Sequence, residues 1–335
     1  EKELTLIDGA DRTVTVKKPV NRVISGSALP VEAMRSIGAI DTVVGVNEWT
    51  LDEVFFPELI DKAENIGGMQ PDYEVIFELY PDLAFWYVGS PKYWSKYEEI
   101  QNTLESAGIT VFRIDCGGMG ASYVEEVSKL GYILDRKEEA EEFIEFYQEC
   151  LDTINERVEG LSEEDRPAVY YESYSGPYKA YGRGNRGDKI DAAGGRNIFS
   201  DISDFVEVDP EEVMERDPEI VLKMEGKISG SWFAGGYALD REDTAIFEAT
   251  RDEIMNRPEL RNVAAVKDEN VYIIAYSVIY SRSFVGMGYL AKWFHPELFE
   301  DLDPQAIHQE YLTEFQGLDI DLNEHGVFVY PPLES

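Results

Sequence analysis

A stretch of this chain occurs twice. Asp72-Tyr73-Glu74-Val75-Ile76-Phe77-Glu78-Leu79-Tyr80-Pro81-Asp82-Leu83-Ala84-Phe85 returns 137 residues later as Asp209-Pro210-Glu211-Glu212-Val213-Met214-Glu215-Arg216-Asp217-Pro218-Glu219-Ile220-Val221-Leu222. Asp, Glu, Glu and Pro fall in the same register, and an acid and an apolar run follow each Pro. Each copy reads as a short helix stopped by Pro and followed by a buried strand. An acid-Pro-acid-apolar connection can recur by chance, but one copy in each half of the chain predicts two similar lobes, with a cleft between them.

With 335 residues, the chain is long enough for two domains, each with its own core. A hydrophobic content of 44% marks a globular protein. No apolar run reaches the length of a membrane span. No signal-peptide pattern opens the chain at Glu1, which reads as a processed start. The net charge of -37 argues against nucleic acid as a partner, because a phosphate backbone would be repelled. Its acids are spread along the chain, as on a solvated surface. Cys116 and Cys150 are too few for a disulfide framework or a thiolate metal site, although they could form one bridge. His295, His308 and His325 are far apart, and His295 sits at an expected helix end where an imidazole caps carbonyls. A histidine-based zinc or catalytic site has little support in that spacing.

Along the chain, Leu4–Ile7 and Thr13–Val16 read as a hairpin. Short strands are expected at Arg22–Ser25, Thr42–Val46 and Gly108–Ile114, with a helix from Pro30 to Ile37. Alternating strands and helices predict an α/β lobe with a largely parallel sheet. Ser122–Leu134 is a helix, and a long one is expected from about Lys137 to Leu161. Its apolar positions Ala140, Phe143, Ile144, Tyr147, Leu151, Ile154, Val158 and Leu161 step by threes and fours. At 1.5 Å per residue it would be roughly 37 Å long and could join the two lobes. In the second half, strands are expected at Ala168–Glu172 and Asn270–Ile274. Helices are expected at Ile190–Asn197, Thr244–Asn256 and Phe284–Phe294. The expected organisation is an N-terminal α/β lobe (1–121), a connecting helical segment (122–164) and a C-terminal α/β lobe (165–335). The fold class is thus α/β, two Rossmann-like lobes joined by a single long helix.

At this point the chain resembles the substrate-binding proteins of ABC importers for iron-siderophores, haem and cobalamin. The resemblance is carried by Asp8–Val16 with Pro19 and Arg22-Val23, by Ile37-Gly38-Ala39-Ile40-Asp41-Thr42-Val43-Val44-Gly45-Val46, and by Asp191-Ala192-Ala193-Gly194-Gly195-Arg196-Asn197. Arg257–Tyr272 and His295-Pro296-Glu297-Leu298-Phe299 extend it. Each piece alone is weak, and their shared order is what makes the match. Ala10-Asp11 departs from the usual Gly-Arg of the opening motif.

The resemblance implies an extracytoplasmic protein, in the periplasm or at the cell surface, with or without a lipid anchor on a removed N-terminal segment. It implies a monomer working with an ABC permease and its ATPase subunits. It also implies a role for the repeat, since Glu74 and Glu211 match the acids that dock on arginine pockets of the permease, with Glu212 an alternative to Glu211. A carboxylate in the first turn of a helix suits the helix dipole and stays exposed, docked or not.

The expected ligand set is aromatic and cationic. Trp49, Trp86, Tyr87 and Trp94 lie in first-lobe loops. Tyr174, Tyr178, Arg183, Arg186, Tyr276, Tyr280 and Arg282 form the second-lobe set, beside glycine-rich turns. Flat faces with guanidinium groups suit a large anionic ligand. A ferric chelate fits this set, a corrinoid or haem is the alternative, and no covalent cofactor is expected. A metal-cofactor enzyme on a related two-lobe fold would need thiolates for a cluster, and only two cysteines are present. Gly182-Arg183-Gly184-Asn185-Arg186-Gly187 matches a dinucleotide fingerprint in spacing alone.

Overall fold

A computed structural model of the protein describes residues 2–184 and 186–333. The chain divides into two compact units, one of residues 1–147 with 311–318, the other of 148–310 with 319–335.

The first unit opens with the expected hairpin, β1 (Lys2–Ile7) and β2 (Thr13–Lys18), in which Leu4 faces Val16. Alternation along β2 turns Val14, Val16 and Lys18 inward. The buried Lys18 ammonium meets the Tyr132 and Ile133 carbonyls at a helix C-terminus, 2.8 and 2.6 Å away. A five-stranded sheet follows, made of β3 (Val23–Ser25), β4 (Val43–Val46), β5 (Glu64–Asn65), β6 (Leu83–Trp86) and β7 (Thr110–Arg113). Its order is β5-β4-β3-β6-β7 and all its pairs are parallel. The chain winds outward from β3 in one direction and then from β6 in the other, the doubly wound arrangement. The helices of this unit are α1 (Ala28–Ser36), α2 (Tyr73–Glu78), α3 (Trp94–Ser106), α4 (Ala121–Ile133) and the start of α5 (Lys137–Val158).

Helix α5 buries Ala140, Phe143, Tyr147, Leu151, Ile154 and Val158, six of the eight positions expected from the sequence, with Ile144 half-buried. It stops at Val158 rather than Leu161, because Glu159-Gly160 unwinds its end. The division between units falls within it, after Tyr147.

The second unit holds β8 (Ala168–Glu172), β9 (Lys179–Tyr181), β10 (Arg196–Asn197), β11 (Phe205–Glu207), β12 (Ile220–Glu225), β13 (Val271–Ala275) and β14 (Val329–Tyr330). Strands β8, β12 and β13 are parallel neighbours, buried almost along their whole length. Strands β9 and β14 add antiparallel pairs at either side. The helices are α6 (Asp188–Ala192), α7 (Pro210–Arg216), α8 (Ala245–Met255), α9 (Ala264–Lys267), α10 (Tyr276–Ile279), α11 (Ser283–Phe294) and α12 (Pro304–Glu310).

The repeated sequence folds twice in the same way. Asp72 caps α2 by accepting from Glu74 N and Val75 N at 3.1 and 3.2 Å, and Asp209 caps α7 by accepting from Glu211 N at 2.9 Å. Ile76 and Val213 face inward in equivalent positions. Tyr80 (φ 45°) and Asp217 (φ 40°) are both left-handed immediately before their prolines, in the turn that ends each helix. Each unit then enters a parallel strand, β6 or β12.

The division differs from the sequence expectation in two ways. Segment 122–164 is shared between the units, split after Tyr147, rather than standing apart. Residues 311–318 belong with the first unit, not with the 165–335 segment. Tyr311 donates to Glu32 Oε1 at 2.6 Å, the Gln316 amide donates to Ser36 Oγ at 2.6 Å, and Arg35 Nε donates to Gln316 Oε1 at 2.7 Å. Phe315 packs on Phe143 and Phe146. The buried α1 acid and arginine thereby find partners almost three hundred residues away.

Candidate functional site

In both units, the loops after the carboxyl ends of the parallel strands carry the aromatic residues, the position where open α/β sheets bind ligands. In the second unit, Tyr174 follows β8, Trp232 follows β12 and Tyr276 begins α10 directly after β13. Their rings pack edge to face. Tyr174 lies 4.7 Å from Trp232, and Trp232 lies 5.5 Å from Tyr276. Tyr276 continues to Tyr280 at 4.7 Å. The Arg186 guanidinium lies 4.6 Å from the Tyr280 centroid and donates to the Tyr181 hydroxyl at 2.8 Å. Four of the expected residues, Tyr174, Arg186, Tyr276 and Tyr280, are therefore brought together. Trp232, absent from the expected set, completes the wall. A Cβ on Gly226 would come within 2.7 Å of the Trp232 ring, so the glycine allows that close approach.

A buried charge cluster holds the loop that carries Tyr174. Glu172, at the end of β8, accepts from Lys223 Nζ at 2.9 Å and from Arg257 Nη1 and Nη2 at 2.7 and 2.9 Å. It also accepts from the Tyr170 hydroxyl and the Tyr178 backbone amide, each at 2.9 Å. Lys223 donates further to Ser173 O at 2.6 Å. Burial alone would push the Glu172 carboxyl up, but the Arg257 hydrogen bonds and the Lys223 and Arg257 charges outweigh it and hold the group below its usual range.

In contrast, among the described residues no carboxylate pairs with Arg186 or with the neighbouring Lys189. Lys189 is 1% exposed and donates to Ile279 O at 2.8 Å. Burial, followed by the Arg186 charge, brings its pKa down to about 7.

Two of the expected second-unit residues serve other roles. Arg282 is 1% exposed. Its Nη1 donates to the Phe233 and Ser277 carbonyls, each at 2.8 Å, and its guanidinium covers the Phe233 and Tyr237 rings. It acts as a structural pin between the Phe233 loop and α10, buried away from the aromatic wall's exposed faces. Tyr178 is tied down, with its ring over Arg257 and its hydroxyl directed to Glu259. Arg183 is exposed, outside the aromatic wall. The glycine run follows the antiparallel strand β9 rather than a parallel strand, so it lacks the setting of a dinucleotide fingerprint; Asn185 within it lies outside the described residues.

In the first unit, Trp49 and Trp94 are about half exposed, at 50% and 52%. Trp49 rests on Gly68, and Trp94 Nε1 donates to Gly89 O at 3.1 Å. Tyr87 stacks on Tyr97 at 5.3 Å. Trp86 differs from expectation. It is 2% exposed and belongs to the core with Ile24, Ile66 and Tyr97, because β6 lies inside a parallel sheet and is buried along its whole length. Arg113 donates to the Tyr87 and Val88 carbonyls at 2.8 and 2.9 Å, and Asp115 accepts from Val88 N at 2.8 Å. Glu126 accepts from Asp115 N and Cys116 N at 3.1 and 3.0 Å. Burial pushes the Glu126 carboxyl up to about 7, and the Asp115 charge adds to the push.

Cys116 and Cys150 are free and buried. Among the described residues no cluster of His, Cys, Asp and Glu could hold a metal ion, and no helix is long and apolar enough to cross a membrane. A cavity of about 680 Å³ elsewhere in the second unit is lined by Arg241, Tyr289, Lys292 and Phe328. Its cations are already engaged, Arg241 by Gln305 and Leu322 O, and Lys292 by the Glu300 and Leu302 carbonyls.

Glu74 and Glu211 are exposed on the first turns of α2 and α7. Each has an exposed large apolar residue one turn further on, Phe77 at 39% and Met214 at 38%.

Two α/β units with aromatic loops at the carboxyl ends of their parallel strands define a two-lobe solute-binding fold. The chain belongs to the periplasmic binding protein family, which it matches over residues 23–276. It is similar to the uncharacterized ABC transporter substrate-binding lipoprotein YvrC of Bacillus subtilis, 22% identical over 67% of this chain and 69% of that protein. It is also similar to a cobalamin-binding protein of Halobacterium salinarum, 26% identical over 64% of this chain, and it spans 57% of that relative's length. The TroA-like periplasmic binding protein FepB of Veillonella parvula shares the fold, with a TM-score of 0.77 and 24% identity over 97% of this chain and 99% of that one. The chain is thus a substrate-binding component of an ABC importer, a class that works with a membrane permease and its ATPase.

Proposed function

We propose that this protein captures a ferric chelate of siderophore type outside the cytoplasm and delivers it to its permease as a monomeric binder, without catalysis. The observation that carries the reading is Arg186. In a chain of net charge -37, its half-buried guanidinium lies against tyrosine rings, and among the described residues no carboxylate neutralises it. An anionic ligand would supply that charge, with Trp232, Tyr174, Tyr276 and Tyr280 as flat apolar walls. Arg183, Trp49, Tyr87 and Trp94 are available as further contacts.

The name of the Halobacterium relative supports a second reading, a corrinoid. Calorimetry with a ferric tris-catecholate, haemin and cyanocobalamin separates the readings. An absorption spectrum of protein purified from its source adds an independent measurement, since the three chromophores have distinct visible bands. The ferric-chelate reading expects the catecholate to bind and Arg186→Gln to weaken it by about 1.5–3 kcal/mol, as for a hydrogen bond to a charged group. Selective binding of cyanocobalamin would replace that reading with the corrinoid one.

For delivery, the exposed Glu74 and Glu211 are assigned to permease docking, with Phe77 and Met214 as apolar contacts beside them. Support comes from the repeat itself, which presents the same acid and a large apolar residue at the same register in each unit. Glu212, also exposed, is the alternative acid in the second copy.

A further inference from the structure

Tyr280 has two cationic neighbours. Arg186 lies 4.6 Å from its centroid, and the Lys189 ammonium lies 5.7 Å away. Lys189 is buried in α6, with Ile279 O of α10 as its hydrogen-bond acceptor. The other charged groups on the elements packed against it are exposed or engaged elsewhere; Arg196 of β10 is exposed. On its own helix, Asp188 accepts from Gly184 N and Asp191 from Asn197 N. Helix α11 packs against α6, and its Lys292 is spent on the Glu300 and Leu302 carbonyls. Tyr181, on β9, is bonded to Arg186. Among the described residues no carboxylate is paired with Lys189. The contrast lies within the same unit, where the buried cations Lys223 and Arg257 share Glu172.

A lysine in this setting is held between its two charge states. Burial and the Arg186 charge both disfavour the ammonium, and at a pKa of about 7 the group is roughly half protonated at neutral pH. Any negative charge arriving at Arg186 offsets the guanidinium charge that Lys189 senses. In a low-dielectric interior that change reaches several ångströms, so a buried lysine behind the contact surface responds without touching the ligand.

We infer that Lys189 is a reserve cation of the Arg186 subsite: when an oxyanion docks on Arg186, the Lys189 amine takes a proton from solvent, so the anion binds with net proton uptake. The inference rests on the proposed reading only in taking the docked group to be an oxyanion. It identifies the ligand class as one presenting a carboxylate, catecholate or phosphate oxygen to Arg186. It also makes capture stronger in mildly acidic surroundings.

The test has two arms. In the first, full-length protein with 13C-labelled lysine side chains is titrated by NMR, in sodium sulfate and in sodium chloride at matched ionic strength, with Lys189→Met assigning the resonance. Sulfate should raise the Lys189 midpoint above its value in chloride, and Arg186→Gln should remove the difference. Equal midpoints in the two salts, or an amine that stays protonated up to about pH 9 as an ordinary lysine does, overturn the inference. In the second arm, a ferric tris-catecholate is titrated by calorimetry at about pH 6 and about pH 8. Wild-type affinity should be roughly five- to tenfold higher at the lower pH relative to Lys189→Met, whose profile supplies the chelate's own pH dependence. Identical profiles for the two proteins overturn the inference and leave the ferric-chelate reading standing. Absence of catecholate binding overturns that reading, and the sulfate arm then decides the inference alone.

Discussion

Replacing Glu172 with Gln tests whether the second-unit site stands on a buried charge cluster. The carboxylate is fully buried and is shared by Lys223 and Arg257, both nearly buried themselves. Gln keeps the volume but removes the charge, which leaves Lys223 without its carboxylate and Arg257 with only the half-exposed Glu253. Breaking a buried pair by removing one partner costs about 3–5 kcal/mol, far more than the net worth of the pair, because an uncompensated charge remains inside. For a unit of this size each kcal/mol moves the midpoint by about 2–4 °C, so the thermal transition should fall by roughly 6–20 °C. The sign of the pH dependence follows from the depressed Glu172 pKa. A carboxyl lowered in the folded state contributes stability above its unfolded pKa and loses it as the pH falls through the folded one. The gap between wild type and Glu172→Gln should therefore be full at neutral pH and close in acid. The assay is thermal denaturation followed by circular dichroism, with hydrogen exchange of residues 173–178 as a local readout, since Lys223 holds the Ser173 carbonyl. A cost below about 1 kcal/mol at pH 7, or unchanged exchange in that loop, would refute the reasoning.

Arg282→Ala should destabilise the protein by about 2–4 kcal/mol, because two carbonyls and two ring faces lose a buried partner. Any effect on ligand affinity should vanish under conditions where the variant is fully folded, as judged by calorimetry beside a melting curve. Glu126, raised to about 7 in the folded state, contributes stability that is full below its unfolded pKa and lost as the pH rises through 7. Glu126→Gln should flatten the wild-type decline between about pH 4.5 and 7 in a series of urea melts, and an unaltered slope would show that the group does not titrate there. Glu74→Ala with Glu211→Ala should leave ligand affinity intact but abolish stimulation of the transporter ATPase in reconstituted membranes. The double loss should exceed either single loss, since linked contacts on one chain reinforce each other. Normal stimulation by the double variant would make the repeated acids structural.

The sequence exposed those parts of the fold whose determinants are local. The repeat was legible because a cap, an inward apolar residue and a helix-stopping proline lie within ten residues, and the structure reproduces all three in both copies. The stripe on α5 was legible for the same reason, a fixed step along one helix. Residues 311–318 were not legible as part of the first unit, because their partners Glu32, Arg35 and Ser36 are remote in sequence. Trp86 and Trp94 look alike as letters. An interior strand buries one, and the first turn of α3 leaves the other half exposed.

The same distinction decides which cations can serve a ligand. Arg186, Arg257 and Arg282 all stand over aromatic rings in the fold, and Arg186 and Arg282 also sit near aromatic residues in sequence. Their roles are set by what reaches each guanidinium from elsewhere: a carboxylate from β8 for Arg257, loop carbonyls for Arg282, a tyrosine hydroxyl and two ring faces for Arg186. A buried cation whose charge is matched inside the fold stabilises that fold and is poorly placed to attract an anion. One left unmatched imposes a desolvation cost that an incoming anion can offset. Binding strength at Arg186 and the stability of the empty protein are therefore opposed, and adding a carboxylate beside Arg186, for instance by Tyr181→Glu, should weaken an anionic ligand by at least the tenfold expected for a lost charge-assisted contact. Calorimetry on that variant beside the uncharged Tyr181→Gln, both titrated with a ferric tris-catecholate, distinguishes charge competition from loss of shape. Equal weakening in both variants would place the effect in the tyrosine wall rather than in the unmatched charge.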